Sequence, residues 1–391
     1  MFPWLWQDFV GGVAMSRFKN LSTGGNPTQA VRDFLGRFLR ERVVDALLVP
    51  TEQVPSAVVM QSLVSDPKEL CHATPLAPVC WSNAGTLLSS VTHNAEGAPI
   101  AAVLRSCEAR AFVERTKLNQ GSRSGLLLLS IDCLGRFENR DYLALAGQCG
   151  NVTDEFLRVY PSEEPFCGFR LSRACRACEY PIAPTVDIQI CLLGQDPFSS
   201  VLLEGVSDAG RSVLSRMNLP SVEPPSERDA EIAALVARRV SFRDNLLKAH
   251  REHTGSVPGL ISATAACINC YNCRVACPLC YCRECVFLTD LFRHECAKYL
   301  AWAHKRGSLR IPTDTLFYHL TRLVHMSTMC VGCGQCSSAC PNGIDVMELF
   351  RRTALVTQAR FDYVPGRDFE EKQPLATFRE DELGYATGNE A

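Results

Sequence analysis

The first half of the chain alternates between helical and strand-like apolar patterns. After the tripeptide Thr23-Gly24-Gly25, apolar side chains repeat at helical spacing at Val31, Phe34, Leu35, Phe38 and Leu39. Short apolar runs at 43–49, 57–60, 100–104 and 125–131 predict strands. A helix is expected between the last two, with Arg110, Glu114, Arg115 and Lys117 on a solvated face. This alternation predicts an α/β domain with a mostly parallel sheet.

The second half is predominantly helical in pattern. Residues 186–192 still alternate like a half-buried strand, and the proline-rich segment 218–228 follows as a linker. Helices are predicted over 229–250, 286–305 and 313–326. The resulting division is a 1–19 arm, a 20–217 α/β domain, a 218–249 linker and helix, a 250–362 helical domain and a 363–391 acidic tail. The tail is expected to wrap a partner or to be disordered.

Composition narrows the classes of function. The chain has 391 residues, a formal net charge of -2 and 21 cysteines. A net charge so close to zero gives no reason to expect nucleic acid as a partner. No apolar run is long enough to cross a bilayer. Without a recognisable signal peptide the expected location is the cytoplasm. So many cysteines in a chain without a secretion signal indicate metal ligands rather than disulfide bonds.

Two cysteine runs carry the clearest chemistry in the chain. Both follow the spacing C-x2-C-x2-C-x3-C-P, which holds [4Fe-4S] clusters in bacterial-type ferredoxins, where the fourth cysteine ligates the other cluster. The pattern predicts one cluster on Cys267, Cys270, Cys273 and Cys340, and a second on Cys330, Cys333, Cys336 and Cys277. Structural zinc is the alternative, but it needs only four ligands and no C-x3-C-P ending.

Other cysteines allow more than one interpretation. Two predicted strands end just before Cys107 and Cys133, where α/β sheets collect their ligands, and Cys175 and Cys178 form a later C-x2-C pair. By spacing alone these four are either a third metal site or small buried hydrophobes. A further group, Cys280, Cys282, Cys285 and Cys296, could bind another cluster or zinc, although packing beside the first cluster is the favoured interpretation.

The helical region between the two runs is too long for a compact ferredoxin. Residues 278–329 separate Cys277 from Cys330 and contain the two helical patterns noted above. With its two cysteine runs, the segment from about 250 to 355 resembles the helical dicluster ferredoxin domain of heterodisulfide reductase small subunits and fumarate reductase iron–sulfur subunits.

Residues 20–195 resemble a second family. The ordered motifs are the Gly-Gly loop, VVDALLV at 43–49, RSCEARAF at 105–112, LSIDCLG at 129–135 and CRACEYPIAPTVDI at 175–188. They look like the beta subunits of coenzyme F-420 (deazaflavin)-reducing hydrogenases and formate dehydrogenases. The resemblance implies that Cys107, Cys133, Cys175 and Cys178 hold a third [4Fe-4S] cluster beside an FAD. It also implies that Gly24, Gly25 and Thr28 bind the flavin.

The sequence therefore predicts an iron–sulfur electron-transfer subunit of a cytoplasmic oxidoreductase complex, relaying electrons to or from FAD or a partner flavoprotein. The expected partner is the catalytic subunit of a formate dehydrogenase or hydrogenase, or a heterodisulfide reductase-like flavoprotein. An alternative is a flavin-free adaptor that wires and docks larger subunits; Asn26 and Thr74, where the family's usual residues are missing, favour it. A zinc-stabilised interaction protein is a third possibility.

Overall fold

The structure is a computed structural model that describes residues 17–94, 97–161, 165–282, 284–292, 295–307 and 314–376. Most of the predicted 1–19 arm and the end of the predicted tail, 377–391, lie outside the described residues. The predicted domain boundaries therefore stay predictions. The following account concerns the described ranges.

A mixed seven-stranded sheet forms the centre of the first half. Its strands are β1 (Phe18–Ser22), β2 (Ala46–Gln53), β3 (Val58–Val64), β4 (Ile100–Leu104), β5 (Leu126–Ile131), β6 (Ile188–Cys191) and β7 (Ser200–Gly205). They lie in the order β1-β7-β6-β5-β4-β2-β3. The pairs β2–β4, β4–β5 and β5–β6 are parallel, and β7 and β3 are antiparallel to their neighbours. The strands run mostly in one direction, which confirms the predicted fold class.

Helices cover both faces of the sheet. In the first half these are α1 (Pro27–Arg40), α2 (Ala84–Asn94), α3 (Ser106–Lys117), α4 (Asn139–Gln148), α5 (Val152–Val159), α6 (Arg173–Arg176) and α7 (Asp208–Arg216). Alternate residues of β5 enter opposite cores: Leu127 and Leu129 pack with α1 and α5, whereas Leu126 and Leu128 pack with α2 and α3. This two-sided burial explains why β5 is apolar at every position except Ser130.

The second half is helical, as predicted. Its helices are α8 (Arg228–Thr254), α9 (Val257–Ala263), α10 (Asn272–Val275), α11 (Cys296–Arg306), α12 (Thr315–Met326), α13 (Gln335–Ser338) and α14 (Val346–Arg360). Leu323 and Met326 of α12 pack against Leu349 and Phe350 of α14, and Ala111 of α3 joins the same core. The helical half is therefore packed directly on the α/β half.

Several predicted elements needed correction. The strand expected from Val43 begins at Ala46, because the amides of Val43 and Val44 instead donate to the Phe38 carbonyl and close the end of α1. The helix expected over 286–305 begins only at Cys296, after short 3-10 turns at Val286–Leu288 and Asp290–Phe292. Strands β1 and β7 were not predicted.

The expected free tail is wrong for residues 363–376, which pack against α3. The Glu114 carboxylate accepts hydrogen bonds from the Tyr363 hydroxyl at 2.7 Å, the Gly366 amide at 2.8 Å and the Gln373 side-chain amide at 2.7 Å. Arg110 donates to the Pro365 carbonyl at 2.8 Å. Arg110 and Glu114 are thus fully buried rather than solvated, because the tail covers the face of the helix that carries them.

Candidate metal centres

The first cysteine run and the end of the second meet at one cavity. Cys267, Cys270, Cys273 and Cys340, here called the first thiol set, all line it. Asn269 and Tyr271 between the first three cysteines have positive φ values of 52° and 59°, which curl the chain so that thiols two residues apart face the same space. The structure therefore brings together the four residues that the sequence assigned to the first cluster.

The fourth cysteine of the first run lies with the second run, just as Cys340 lies with the first. Cys277, the last cysteine of the first run, packs in the same hydrophobic cluster as Cys330, Cys333 and Cys336. These four are the second thiol set. The turns of the second run depend on Gly332 and Gly334, whose φ values are 71° and 75°. At Gly334 a Cβ would lie 2.3 Å from the Ala174 side chain, so no larger residue fits there without displacing α6.

The four thiols of the second set are partly buried and pack in one hydrophobic cluster. Burial raises the pKa of Cys333 to about 12, with the neighbouring Cys277 as the next contribution, and it also raises the pKa of Cys336 well above its ordinary value. Backbone amides of Gly332 and Gln335 favour the thiolate forms of Cys330 and Cys333. Without a bound cation such closely spaced thiols would stay protonated, and binding iron would release their protons.

Two buried side chains contact a sulfur of the first thiol set. The Tyr318 hydroxyl lies 3.3 Å from the Cys273 sulfur, and the Arg322 guanidinium donates to the same sulfur at 3.2 Å. Both side chains are almost completely buried. Hydrogen bonds to ligating sulfur are one of the ways in which a protein adjusts the potential of an iron–sulfur centre. No sequence pattern pointed to either residue, although they lie one turn apart on a predicted helix.

The third thiol set, Cys107, Cys133, Cys175 and Cys178, lines a cavity at the carboxyl ends of β4 and β5. Cys107 is in the first turn of α3, and Cys133 follows β5 by two residues. The Ser172 hydroxyl accepts from the Cys175 amide at 3.3 Å and caps α6, which carries that cysteine. Three separate segments thus supply four thiols to one space, as the strand-end argument predicted.

Three arginines line the same cavity. Arg105 donates to the carbonyl oxygens of Gly135, at 3.2 Å, and of Val79, at 2.8 Å. Arg136 donates to the Ser338 hydroxyl at 2.7 Å, and Arg239 donates to the Cys133 carbonyl at 3.0 Å. Burial raises the pKa of Cys178 to about 11 and also raises the pKa of Cys107 well above its ordinary value. The guanidinium charges would stabilise the anionic state of thiolates held there.

Cys80 is a fifth thiol of this cavity that the sequence analysis missed. It is buried, and the Gln335 side-chain amide donates to its carbonyl at 3.0 Å and to its sulfur at 3.4 Å. The neighbouring Cys333, a member of the second thiol set, also lines the cavity. No spacing signal pointed to Cys80. Cys333 therefore belongs to the second thiol set and also borders the cavity of the third.

The additional cysteines of the helical half are dispersed. Cys280 packs beside Cys277, whereas Cys285 packs beside Tyr271 and Phe287 in a different cluster. Cys296 is exposed at the start of α11. These positions agree with packing roles rather than with one shared site. In the described ranges, no three His, Cys, Asp or Glu side chains converge closely enough to hold a single metal ion.

The predicted flavin residues lie elsewhere in the α/β half. Gly24 and Gly25 have φ values of 54° and 88° in the loop before α1, and the Gly25 amide donates to the Phe198 carbonyl at 2.9 Å. Thr28 is buried in the first turn of α1. None of the three lines the cavity of the third thiol set.

A larger groove adjoins the third thiol set instead. We call it the arginine–aromatic groove; it has a volume of about 300 Å³. Its lining includes Phe137, Phe156, Tyr160, Phe166, Phe169, Phe242, Arg170, Arg176, Arg238 and Arg239. Arg239 lines both the groove and the thiol cavity. Its aromatic faces and guanidinium groups suit a planar, anionic molecule.

Comparison with known proteins agrees with the cysteine patterns. A family model described as a 4Fe-4S binding domain matches residues 323–344, which contain the second cysteine run. The chain is 23% identical over 366 residues to the F420-dependent formate dehydrogenase subunit beta of Methanocaldococcus jannaschii, covering 87% of this chain and 92% of that protein. It is also 23% identical over 374 residues to the F420-dependent formate dehydrogenase 1 subunit beta of Methanococcus maripaludis, covering 87% and 91%.

These similarities confirm the resemblance to deazaflavin-dependent beta subunits that the motifs at 20–195 indicated. The resemblance to heterodisulfide reductase small subunits stays a prediction. A chain of the F420-reducing [NiFe] hydrogenase complex from Methanosarcina barkeri overlaps 62% of this chain and 93% of its own length, with a TM-score of 0.45 and 11% identity. Among the described residues, no helix combines the length and apolar character that a membrane span requires.

Proposed function

We propose that the chain is an iron–sulfur electron-transfer subunit of an oxidoreductase complex of the formate dehydrogenase or hydrogenase beta type. The three thiol sets would each hold one [4Fe-4S] cluster, which accepts and releases one electron at a time. Support comes from the 4Fe-4S match, from the two beta-subunit relatives and from the convergence of four thiols at each position.

The observation that carries the proposal is the connection between the thiol sets. Cys277 and Cys340 exchange between the two cysteine runs, which ties the first and second thiol sets together. Cys333 belongs to the second set and lines the cavity of the third. Clusters held in the order first, second, third would therefore form a continuous line for one-electron transfer between centres.

The outer end of that line is the first thiol set. Cys270 is exposed, and the apolar side chains of Ile268 and Val275 nearby are 61% and 77% exposed. Exposed apolar side chains beside a redox site suit a protein partner. The partner we propose is the catalytic subunit of a formate dehydrogenase or hydrogenase, with a heterodisulfide reductase-like flavoprotein as the other possibility.

The inner end of the line is the third thiol set with the arginine–aromatic groove. A flavin such as FAD supplies the exchange between single electrons and an electron pair. The loop of Gly24, Gly25 and Thr28 is the flavin site that the resemblance implies, whereas the groove offers aromatic faces and arginines directly beside the thiol cavity. The arginines of the groove would bind and orient the flavin, and Phe137 and Phe156 would exclude water from it.

A flavin-free adaptor remains the second candidate. The observation that favours it is the separation of Gly24, Gly25 and Thr28 from the cavity of the third thiol set. In that case the three clusters would form a wire between larger subunits, and the groove would receive a side chain or cofactor of a partner.

Metal and flavin analysis of the full chain, purified without oxygen, tests the proposal. We expect about twelve irons per chain, little zinc and the visible absorption of [4Fe-4S] clusters. One flavin per chain would support the FAD relay, and none would support the adaptor. A colourless protein containing zinc in place of iron would overturn both.

A further inference from the structure

Two cysteines outside the three thiol sets lie side by side at the surface. The sulfur atoms of Cys149 and Cys167 are 3.8 Å apart, although the residues are 18 positions apart in sequence. Cys167 is exposed and Cys149 is half-buried. Neither belongs to a cysteine run or lines the cavities of the first or third thiol set.

The backbone holds both residues in place. Cys149 ends α4, and its amide donates to the Leu145 carbonyl at 2.8 Å. Cys167 lies in a tight turn closed by two hydrogen bonds between Phe166 and Phe169, at 2.8 and 2.9 Å. Its φ of 49° and the φ of 84° at Gly168 define that turn. The proximity of the sulfurs therefore follows from fixed backbone positions.

The separation is that of two thiols in van der Waals contact. A disulfide has a sulfur–sulfur distance of about 2.05 Å, so closure requires a further approach of the two sulfurs by roughly 1.8 Å. Because Cys167 is exposed, a small reagent in solution can reach it. The pair thus meets the two requirements for reversible disulfide formation, proximity and access.

We propose that Cys149 and Cys167 form a redox-active dithiol, which the disulfide of a low-molecular-weight thiol oxidises to an intramolecular disulfide. The more exposed Cys167 attacks the small disulfide as a thiolate, forms a mixed disulfide and releases one small thiol. Cys149 then attacks the Cys167 sulfur and releases the second small thiol. Two electrons and two protons pass from the protein to the small disulfide, which becomes two thiols.

This modification site goes beyond the proposed electron line, because it needs no cluster and exchanges electrons in pairs. Its position links it to the arginine–aromatic groove. Phe166 and Phe169 flank Cys167 and line that groove, and the Phe166 ring lies 6.0 Å from Phe137 between ring centroids. A disulfide would fasten the turn to the end of α4. The oxidised protein would then have a more rigid groove wall than the reduced protein.

The sequence permits a direct assay by peptide mapping. Trypsin cleavage after Arg140, Arg158 and Arg170 yields the peptides 141–158 and 159–170, each with a single cysteine. The full protein, purified without oxygen, is treated with hydroxyethyl disulfide, and remaining thiols are alkylated before digestion without reductant. We expect the two peptides joined, with the mass of their sum minus two hydrogens, and separated again after treatment with dithiothreitol before digestion.

Single variants distinguish a dithiol from two independent thiols. Cys149→Ser should retain a stable mixed disulfide on the peptide 159–170, because the second attack is lost. The matched control Cys71→Ser removes an exposed cysteine in the turn Pro67–His72 and should leave the joined peptides undiminished. Separate mixed disulfides on both cysteines of the unmodified chain, or alkylation of both, would overturn the proposal.

Discussion

The first and third thiol sets show two different ways of building a redox site. Three members of the first set come from one heptapeptide of sequence, so the local backbone determines their arrangement. The members of the third set follow the ends of two strands or lie in and just after α6, so the whole α/β fold determines their arrangement. A local motif can be recognised from its spacing, whereas a site assembled by a fold can be recognised only from the fold or from a resemblance.

The two sets also differ in their surroundings. Tyr271, Tyr318 and His319 line the cavity of the first set, and Arg322 contacts one sulfur. Arg105, Arg136 and Arg239 line the cavity of the third set. A fixed positive charge stabilises the more negative, reduced state of a nearby centre. We therefore expect a cluster bound by the third set to have a higher reduction potential than one bound by the first set. This difference would favour electron flow from the first set to the third.

The strongest way to separate the two sites is to remove one thiol from each. Cys175→Ser should lose about four of about twelve irons. The spectra of the other two centres should stay intact, because the segments that supply the third thiol set supply no thiol to the other two sets. Cys340→Ser should instead alter the centre formed by the first cysteine run, because Cys340 lines that cavity. Iron analysis and electron paramagnetic resonance of both variants provide the measurement.

Either variant can contradict the assignment. Unchanged iron content in Cys175→Ser would reduce the third thiol set to buried packing residues. If Cys340→Ser altered only the centre on Cys330, Cys333 and Cys336, the crossover would be wrong. Cys71→Ser, which removes an exposed cysteine outside all three thiol sets, should retain full iron content and serves as the control.

The elements that the sequence predicted well are those in which burial follows a regular period. Strands β4 and β5 are buried throughout, so their bounds were nearly correct, and the apolar stripe of α1 indicated the helix at its actual place. The edge strand β1 was missed because its five residues, FKNLS, do not alternate and belong to a strand only through pairing with β7. Pairing partners distant in sequence leave no local signal.

The charged residues of α3 show a second limit. Glu114 and Arg110 were expected in solvent because charged side chains normally lie there. The structure buries both, since residues 363–376 return across the helix and supply Tyr363, Gly366 and Gln373 as hydrogen-bond donors to Glu114. Arg239 was missed for the same reason, because it reaches the cavity of the third thiol set from α8, more than a hundred residues after Cys133.

The contrast in charge can be tested by neutralising one arginine. A unit charge about 8 Å from a redox centre contributes about 2 kcal/mol at an effective dielectric constant of about 20. Arg239→Gln should therefore lower the potential of the third centre by on the order of 50–100 mV. Arg238→Gln is the matched control, because Arg238 lines the groove but not the thiol cavity. Equal shifts in the two variants, in a titration followed by electron paramagnetic resonance, would contradict a local effect of Arg239.

The smallest expected effect concerns a neutral hydrogen bond at the first thiol set. Tyr318→Phe removes the hydroxyl that lies 3.3 Å from the Cys273 sulfur, while the ring and its packing remain. Loss of a donor worth about 0.5–1.5 kcal/mol should lower the potential of the first centre by roughly 20–60 mV and leave the third unchanged. Tyr271→Phe is the control, since Tyr271 lines the same cavity but directs its hydroxyl to Asp314 at 3.5 Å. An equal shift in this control would mean that polarity near the cavity, rather than the bond to sulfur, determines the potential.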